Sequence, residues 1–363
     1  MSQTFKVLFF IFVEYDTKII NIIFFKIYNT KRRKIMRNPM NQKTCNCLRG
    51  LLLICILFMH SNTTINFPIL LETGSLFVSV FFFQSGYGLY YSSKYKENYF
   101  DNFFLKRFSK LLPPFFITNF FIGLFYFLKN DISFSKMLTS IFGIPLLNVY
   151  GWYVLTTIYL YIIFYFCFKY IKNDKLSISI LTILILFPYT FVCRNFDSWW
   201  ISTTFNFSFG IIYAINEEKI MKNINKHYNK LLLINTLLFI TSYLIDLIYL
   251  QNTILKNIIG CLFSSIVLLL SCKFSFYSKL LEYMGKYSYE IYIVQFLYIN
   301  VICSNVLYLV LSKPNFAFYV FVLYICLSVS CSIITGVLLQ KFCKHFQKNI
   351  SLNKKRKINH YRI

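Results

Sequence analysis

The chain has 363 residues, of which 57% are hydrophobic and 14% are charged, and its mean hydropathy is +0.56. This composition lies outside the usual range of soluble proteins and predicts a multispanning membrane protein. The formal charge of +25 would suit a nucleic-acid-binding protein, but the basic residues are concentrated in alternate loops between apolar segments. We therefore attribute most of the charge to membrane topology and to attraction for anionic lipid, and we predict no nucleic-acid partner.

Residues 1–43 form a basic N-terminal extension. Residues 5–13 and 19–25 are apolar, but Glu14, Asp16 and Lys18 lie between them. A spanning helix with three charges at its centre is unfavourable in hydrocarbon. The pattern fits an interfacial helix, or an extension that the core does not need, better than a signal peptide, because no small-residue cleavage site follows it.

The rest of the chain predicts an all-α polytopic membrane protein with about ten transmembrane helices. Its apolar blocks have the length of helices that span hydrocarbon. They cover residues 47–67, 74–91, 111–128, 152–171, 176–193, 198–216, 231–250, 254–272, 287–311 and 316–339. We predict a transmembrane domain over residues 44–341 and a basic cytoplasmic tail over residues 342–363.

The loops between these blocks alternate in charge. Basic residues are dense in residues 31–43 and 94–110, whereas residues 61–73 have none. The sparse loops together offer only Lys129, Lys136, Arg194, Lys256 and Lys313. By the positive-inside rule, both ends of the ten-helix core are predicted to be cytoplasmic. This orientation corresponds to a multi-pass protein of the plasma or inner membrane.

The eleven cysteines do not predict a metal site. Most lie inside the apolar blocks without the repeated spacing of metal ligands, so they are interpreted as small buried hydrophobic residues. Cys45 and Cys47 are the one close pair, and a lone pair of this kind is weak support for a metal. We predict neither a metal nor a permanently bound cofactor.

Arg49 and His60 are the first pair of residues that could carry chemistry. The arginine begins an apolar helix and the histidine follows it by eleven residues. That spacing returns to nearly the same helix face about 16 Å further along the axis. An ionisable residue inside a membrane segment points to function, and histidine transfers protons near neutral pH. Alternatively, Arg49 is an interfacial anchor and His60 is a helix-end residue bonded to a neighbouring carbonyl.

Two further motifs follow in the chain. A polar step at Gln84, Ser85 and Gly86 interrupts an aromatic helix, and its glycine could serve only close helix packing. Arg107 and Lys110 then share a helix face just before a proline. A basic pair of this kind suits phosphate contacts, although a topology anchor explains it equally well.

Taken in order, these motifs resemble acyltransferase family 3, membrane-bound O-acyltransferases of the type that modifies bacterial surface polysaccharides. The family shows Leu-Arg-Gly at the start of its first core helix with histidine eleven residues after the arginine. A Phe-Phe-x-x-Ser-Gly-Tyr stretch and a basic pair before Leu-Pro follow. The corresponding residues here are Arg49, His60, residues 82–87, Arg107, Lys110, Leu112 and Pro113, with further matches at Trp152, Tyr153 and residues 284–292. The resemblance covers about residues 44–340.

Three positions depart from the family pattern. Ser79 stands where an aspartate is common before the paired phenylalanines, so a carboxylate role there is doubtful. Lys110 replaces the second arginine, which keeps the charge but loses the bidentate fork. Gln295 stands where many relatives have histidine, so this position does not carry a proton here.

The resemblance implies transfer of an acyl group, most often acetyl, from cytoplasmic acyl-coenzyme A to a hydroxyl of an exported or cell-envelope saccharide. His60 would be the general base, and Arg49, Arg107 and Lys110 would bind the donor's phosphates. Ser85, or the backbone near Gly86, could polarise the thioester carbonyl, and a Ser85 acyl-enzyme is a further alternative. Further predicted substrate-binding residues are Trp152, Tyr153 and Glu72. Glu72 could instead orient His60. Polysaccharide-assembly proteins are candidate partners.

A transporter or flippase for a polysaccharide precursor or acyl donor is the alternative function. Ten helices and a basic cytoplasmic side are compatible with it. The absence of a detectable internal repeat and the spacing of Arg49 and His60 favour the enzyme. A polysaccharide polymerase would be expected to carry a large outer loop, and the predicted loops are short.

Overall fold

A computed structural model describes residues 36–61, 73–191, 200–250, 252–302 and 317–360. Most of the predicted N-terminal extension and the candidate residue Glu72 therefore lie outside the described residues. Within the described ranges the chain is helical and contains no strand. The predicted all-α class is confirmed.

Twelve α-helices are described. In chain order they are α1 (Gln42–Ser61), α2 (Gly74–Tyr95), α3 (Phe103–Leu128), α4 (Phe134–Ser140), α5 (Trp152–Tyr170), α6 (Asp174–Phe191), α7 (Phe205–Ile215), α8 (Glu217–Ile245), α9 (Thr253–Lys273), α10 (Lys279–Lys286), α11 (Ser288–Phe296) and α12 (Ala317–His360). A 3₁₀ turn at Val149–Gly151 precedes α5, and π-helical turns at Asp246–Leu250 and Leu297–Ile302 follow α8 and α11.

Six helical stretches of the described chain are long and apolar enough to cross a membrane. They are Gln42–Ser61, Phe103–Leu128, Val149–Tyr170, Glu217–Ile248, Thr253–Lys273 and Leu323–His345. The predicted span 74–91 does form α2, but Gln84 and Ser85 lower its hydropathy, and the predicted span 198–216 yields only the eleven-residue α7. A multi-pass membrane protein is thus supported, while the count of ten and the cytoplasmic position of both ends stay predictions.

Two glycines allow close backbone contact between α1 and α10. A Cβ on Gly50 would lie 2.1 Å from the carbonyl oxygen of Leu281, and a Cβ on Gly285 would lie 1.8 Å from that of Asn46. Only a residue without a side chain permits backbones to approach in this way. Two motifs more than 230 residues apart in the chain therefore meet at one contact.

The core lies between α1, α2, α5, α7 and α11. Its fully buried members include Leu53 and Ile56 from α1, Phe82 from α2, Phe164 from α5 and Phe207 from α7. The outward faces of α8 and α9 carry exposed leucines and isoleucines, as expected for helices that face lipid. The central helices thus bury the helix that carries Arg49 and His60.

The helix α12 extends through the boundary predicted between the transmembrane domain and the tail. It runs without a break from Ala317 to His360. The side-chain amide of Gln347 hydrogen-bonds the carbonyl oxygen of Ser109, which joins the last helix to α3 near the predicted basic pair.

Candidate active site

Two cavities lie along α1, one near each of its motif residues. The first, which we call the basic cavity, has a volume of about 860 Å³ and is lined by Arg49, Lys96, Arg107 and Lys110. The second, the aromatic cavity, has a volume of about 360 Å³ and is lined by His60 together with Tyr150, Trp152, Tyr243 and Tyr292. Ile56, Val78 and Tyr292 line both cavities, so these three side chains form the wall between them.

The basic cavity is suited to an anion. The three predicted phosphate-binding residues and Lys96 all line it, while none of the described residues around it is an aspartate or a glutamate. Cations that line a cavity without compensating carboxylates produce a positive potential, which attracts a phosphorylated ligand. The tertiary structure thus brings together Arg49 from α1 with Arg107 and Lys110 from α3.

The guanidinium of Arg49 is held by the polar step of α2. Its Nε donates a hydrogen bond to Oε1 of Gln84 at 2.8 Å, and Gln84 is only 3% exposed. A bond at Nε fixes the plane of the guanidinium and leaves the donors at its other nitrogens for a ligand. The interruption of the aromatic helix by Gln84 therefore has a structural explanation.

Arg107 is surrounded by aromatic rings. It donates a hydrogen bond to the Tyr99 hydroxyl at 2.6 Å, and its guanidinium carbon lies 5.8 Å from the Phe103 ring centre and 5.7 Å from that of Tyr161. Cation–π contacts and the hydrogen bond restrict the rotamers of a long side chain. Lys110 by contrast is exposed at the edge of the same cavity.

His60 lies flat against Tyr150 in the aromatic cavity. The two ring centres are 3.8 Å apart and the planes differ by 7°. The Tyr150 hydroxyl donates to Oδ1 of Asn300 at 3.0 Å, and the Tyr292 ring centre lies 6.2 Å from the imidazole. The fully buried amide of Gln295 lies beside the imidazole. The position where relatives often have histidine thus adjoins His60.

The family comparison decides the class of this chain. The model of the acyltransferase domain of family 3 matches residues 44–337, which is most of the sequence. The chain belongs to acyltransferase family 3. The resemblance inferred from the motifs is confirmed. The matched region holds all the described residues that line the aromatic cavity and all but four of those that line the basic cavity. Neither a curated protein nor a solved structure matches the chain.

In this membrane acyltransferase, the predicted catalytic and substrate-binding residues are divided between the two cavities. Trp152 lines the aromatic cavity with His60, whereas Tyr153 lines the basic cavity, because neighbouring residues on α5 point in different directions. Ser85 also lines the basic cavity, and its hydroxyl lies 3.4 Å from that of Tyr161. The structure therefore does not place Ser85 in the same cavity as His60.

Gly86 packs against α7 of the acyltransferase. A Cβ there would lie 2.0 Å from the carbonyl oxygen of Phe207, whereas a Cβ on Gly88 would meet no atom within 4 Å. The packing interpretation of Gly86 fits this contact. Ser79, at the position of the family aspartate, likewise bonds within the core, to the carbonyl of Leu76 at 2.6 Å and that of Gly260 at 3.2 Å.

Four further residues of the acyltransferase were not predicted as site residues from the sequence: Asp246, Lys256, Tyr150 and Tyr292. All four line the aromatic cavity. Asp246 could have been predicted from the sequence, because it is a carboxylate at the end of an apolar span in a chain with only 13 acidic residues. Within the described ranges, no group of three His, Cys, Asp or Glu side chains could hold a metal ion.

Proposed function

We propose that this acyltransferase moves an acyl group, preferably acetyl, from acyl-coenzyme A in the basic cavity to a saccharide hydroxyl in the aromatic cavity. The observation that carries the proposal is the shared wall of Ile56, Val78 and Tyr292, with the cations on one side and His60 on the other. In the plasma or inner membrane, the basic cavity would open to the cytoplasm, where acyl-coenzyme A is found.

The donor is argued from charge and reach. The phosphates of coenzyme A would bind at Arg49, Arg107 and Lys110, which line one cavity. Arg49 and His60 lie eleven residues apart on the unbroken helix α1, about 16 Å along its axis. A pantetheine arm is of this order of length, so it would carry the thioester from the phosphate site past the wall towards His60.

His60 would act as the general base. It would remove the proton of the acceptor hydroxyl as that oxygen attacks the thioester carbonyl, which forms the carbon–oxygen bond. When the tetrahedral intermediate collapses, the carbon–sulfur bond breaks and the imidazolium returns the proton to the thiolate. An ester and the free thiol of coenzyme A result, with no net gain or loss of protons.

The developing oxyanion needs a hydrogen-bond donor near the wall. Among the described residues, Tyr292 is the side chain with a hydroxyl that lines both cavities, and its ring centre is 6.2 Å from that of His60. We assign its hydroxyl this role ahead of Ser85, which lines only the basic cavity. A Ser85 acyl-enzyme would need a base nearby, and His60 lies in the other cavity.

Transport of a polysaccharide precursor or acyl donor is the second candidate. Two cavities divided by a thin wall are also expected in a transporter that opens to each side in turn. The enzyme is preferred because the chain belongs to an acyltransferase family and because a histidine lines one cavity.

The test uses membranes that contain the full chain, incubated with acetyl-coenzyme A labelled in its acetyl group. The proposal expects label in envelope glycan, with none when His60 is replaced by alanine at equal membrane content. Movement of labelled donor across the membrane without labelled glycan would support the transporter instead.

A further inference from the structure

Among the described residues that line the aromatic cavity, one is a carboxylate that the proposed chemistry does not use. Asp246 begins the π-helical turn after α8, and it is only 5% exposed. The preceding residues Leu244 and Ile245 are 47% and 45% exposed. A π-helical turn rotates side chains relative to an α-helix, and such turns often occur at functional sites. Here the acidic residue is turned inward from a helix with a lipid-facing surface.

One oxygen of this carboxylate has a structural partner. Oδ1 of Asp246 accepts a hydrogen bond from the backbone N–H of Asn252 at 3.0 Å, which fastens the turn before α9. Among the described residues, no hydrogen bond reaches Oδ2. Because Asp246 lines the cavity, this second oxygen is available to accept a hydrogen bond from a ligand.

The surroundings of Asp246 match a polyhydroxylated ring. Asp246 and Lys256 line the same cavity, together with the aromatic residues Trp152 and Tyr243 and the hydroxyl residue Thr203. Aromatic faces cover the apolar faces of a sugar ring, while a carboxylate and an ammonium group bind its hydroxyls. The volume of about 360 Å³ is sufficient for one ring, not for a long stretch of polymer.

We propose that Asp246 binds the acceptor and selects an uncharged sugar ring. Its carboxylate accepts hydrogen bonds from hydroxyls of the ring, Lys256 donates to another ring oxygen, and a further hydroxyl is thereby held at His60. The charges of Asp246 and Lys256 cancel, so the pair has no net charge that would offset the cost of removing a uronate or a protonated amino sugar from water. This inference rests on the proposed function, because it names the acceptor site of the same reaction.

The test measures binding separately from transfer. The full chain in lipid nanodiscs is titrated with methyl glucoside, without any acyl donor, and binding is followed by saturation-transfer NMR. Asp246→Asn retains an oxygen for the Asn252 N–H but loses the charge, so it should fold normally and bind the sugar about tenfold more weakly. The matched control is Asp131→Asn, an exposed acid in the turn after α3. It should bind like the wild type.

Equal binding of methyl glucoside by the wild type and Asp246→Asn would overturn the inference, and so would failure of the wild type to bind this sugar. Methyl glucuronide and the methyl glycoside of glucosamine should both bind more weakly than methyl glucoside. If either binds as tightly, selection of an uncharged ring is wrong. Transfer is assayed afterwards with acetyl-coenzyme A. Binding that depends on Asp246 without any acetyl transfer would contradict the proposed function and leave the sugar site in place.

Discussion

The imidazole of His60 is stacked in parallel on the phenol ring of Tyr150, with 3.8 Å between the ring centres. This contact fixes the rotation of the imidazole about its side-chain bonds. It also places the negative face of an aromatic ring against the group that would become positively charged during transfer. The Tyr150 ring is itself fixed by its hydrogen bond to Asn300.

We expect Tyr150→Leu to lower the rate constant for acetyl transfer by about ten- to a hundredfold, because the imidazole loses the surface that orients it. Tyr150→Phe keeps the stack and loses only the bond to Asn300, so transfer should stay within a few fold of the wild type. The measurement is kcat for transfer with the two variants at saturating donor. Full kcat in Tyr150→Leu would show that the stack has no part in catalysis.

His60→Ala should reduce acetylation of envelope glycan by about 10²- to 10⁴-fold, the usual contribution of a general base. His345→Ala is the control, since His345 is an exposed histidine on α12 far along the chain from either cavity lining. Glycan-bound acetyl is measured in cells, with the amount of each variant in the membrane determined in parallel. Unchanged acetylation with His60→Ala would exclude the assignment of this residue as the base.

Arg107→Ala should weaken use of acetyl-coenzyme A but not of acetyl-pantetheine, which lacks the nucleotide and its phosphates. The kcat/KM for acetyl-coenzyme A, divided by that for acetyl-pantetheine, should fall about tenfold, as expected for the loss of one charged contact to phosphate. Lys106→Ala is a matched control, because Lys106 precedes Arg107 on α3 and does not line the basic cavity. An equal fall of kcat/KM for both donors would mean that Arg107 supports the fold and does not bind phosphate.

Gly285→Ala should destabilise the protein by about 1–3 kcal/mol, because a methyl group would lie 1.8 Å from the Asn46 carbonyl oxygen and force α10 away from α1. Gly88→Ala introduces the same group on α2 where no atom lies within 4 Å, and it should not lower stability. Thermal unfolding of both variants in detergent distinguishes them. Equal unfolding temperatures would show that the contact between α1 and α10 is looser than in the structure.

The order of motifs along the chain was sufficient to predict the class and the family. Arg49 and His60 could be placed on one helix because both lie within a single apolar segment, and helical spacing is a local property. Arg107 and Lys110 were predicted to contact the same phosphate groups, and both residues line the basic cavity.

The division of the site into two cavities could not be predicted in the same way. Trp152 and Tyr153 are neighbours in sequence and were both predicted to bind substrate, and they line different cavities. Ser85 and His60 were both predicted to be catalytic, and they line different cavities. These outcomes depend on how α5 and α2 are rotated against α1.

The sequence by itself therefore determined the membrane class, the acyltransferase family and the helix that carries Arg49 and His60, because composition, motif order and helical period are properties of the chain alone. Only the tertiary structure decided that Tyr150, Tyr292 and Gln295 lie beside His60 and that Asp246 lines the same cavity. Contacts between residues so far apart in the chain form when helices pack against one another. No local sequence pattern determines how each helix is rotated about its axis or shifted along its neighbours.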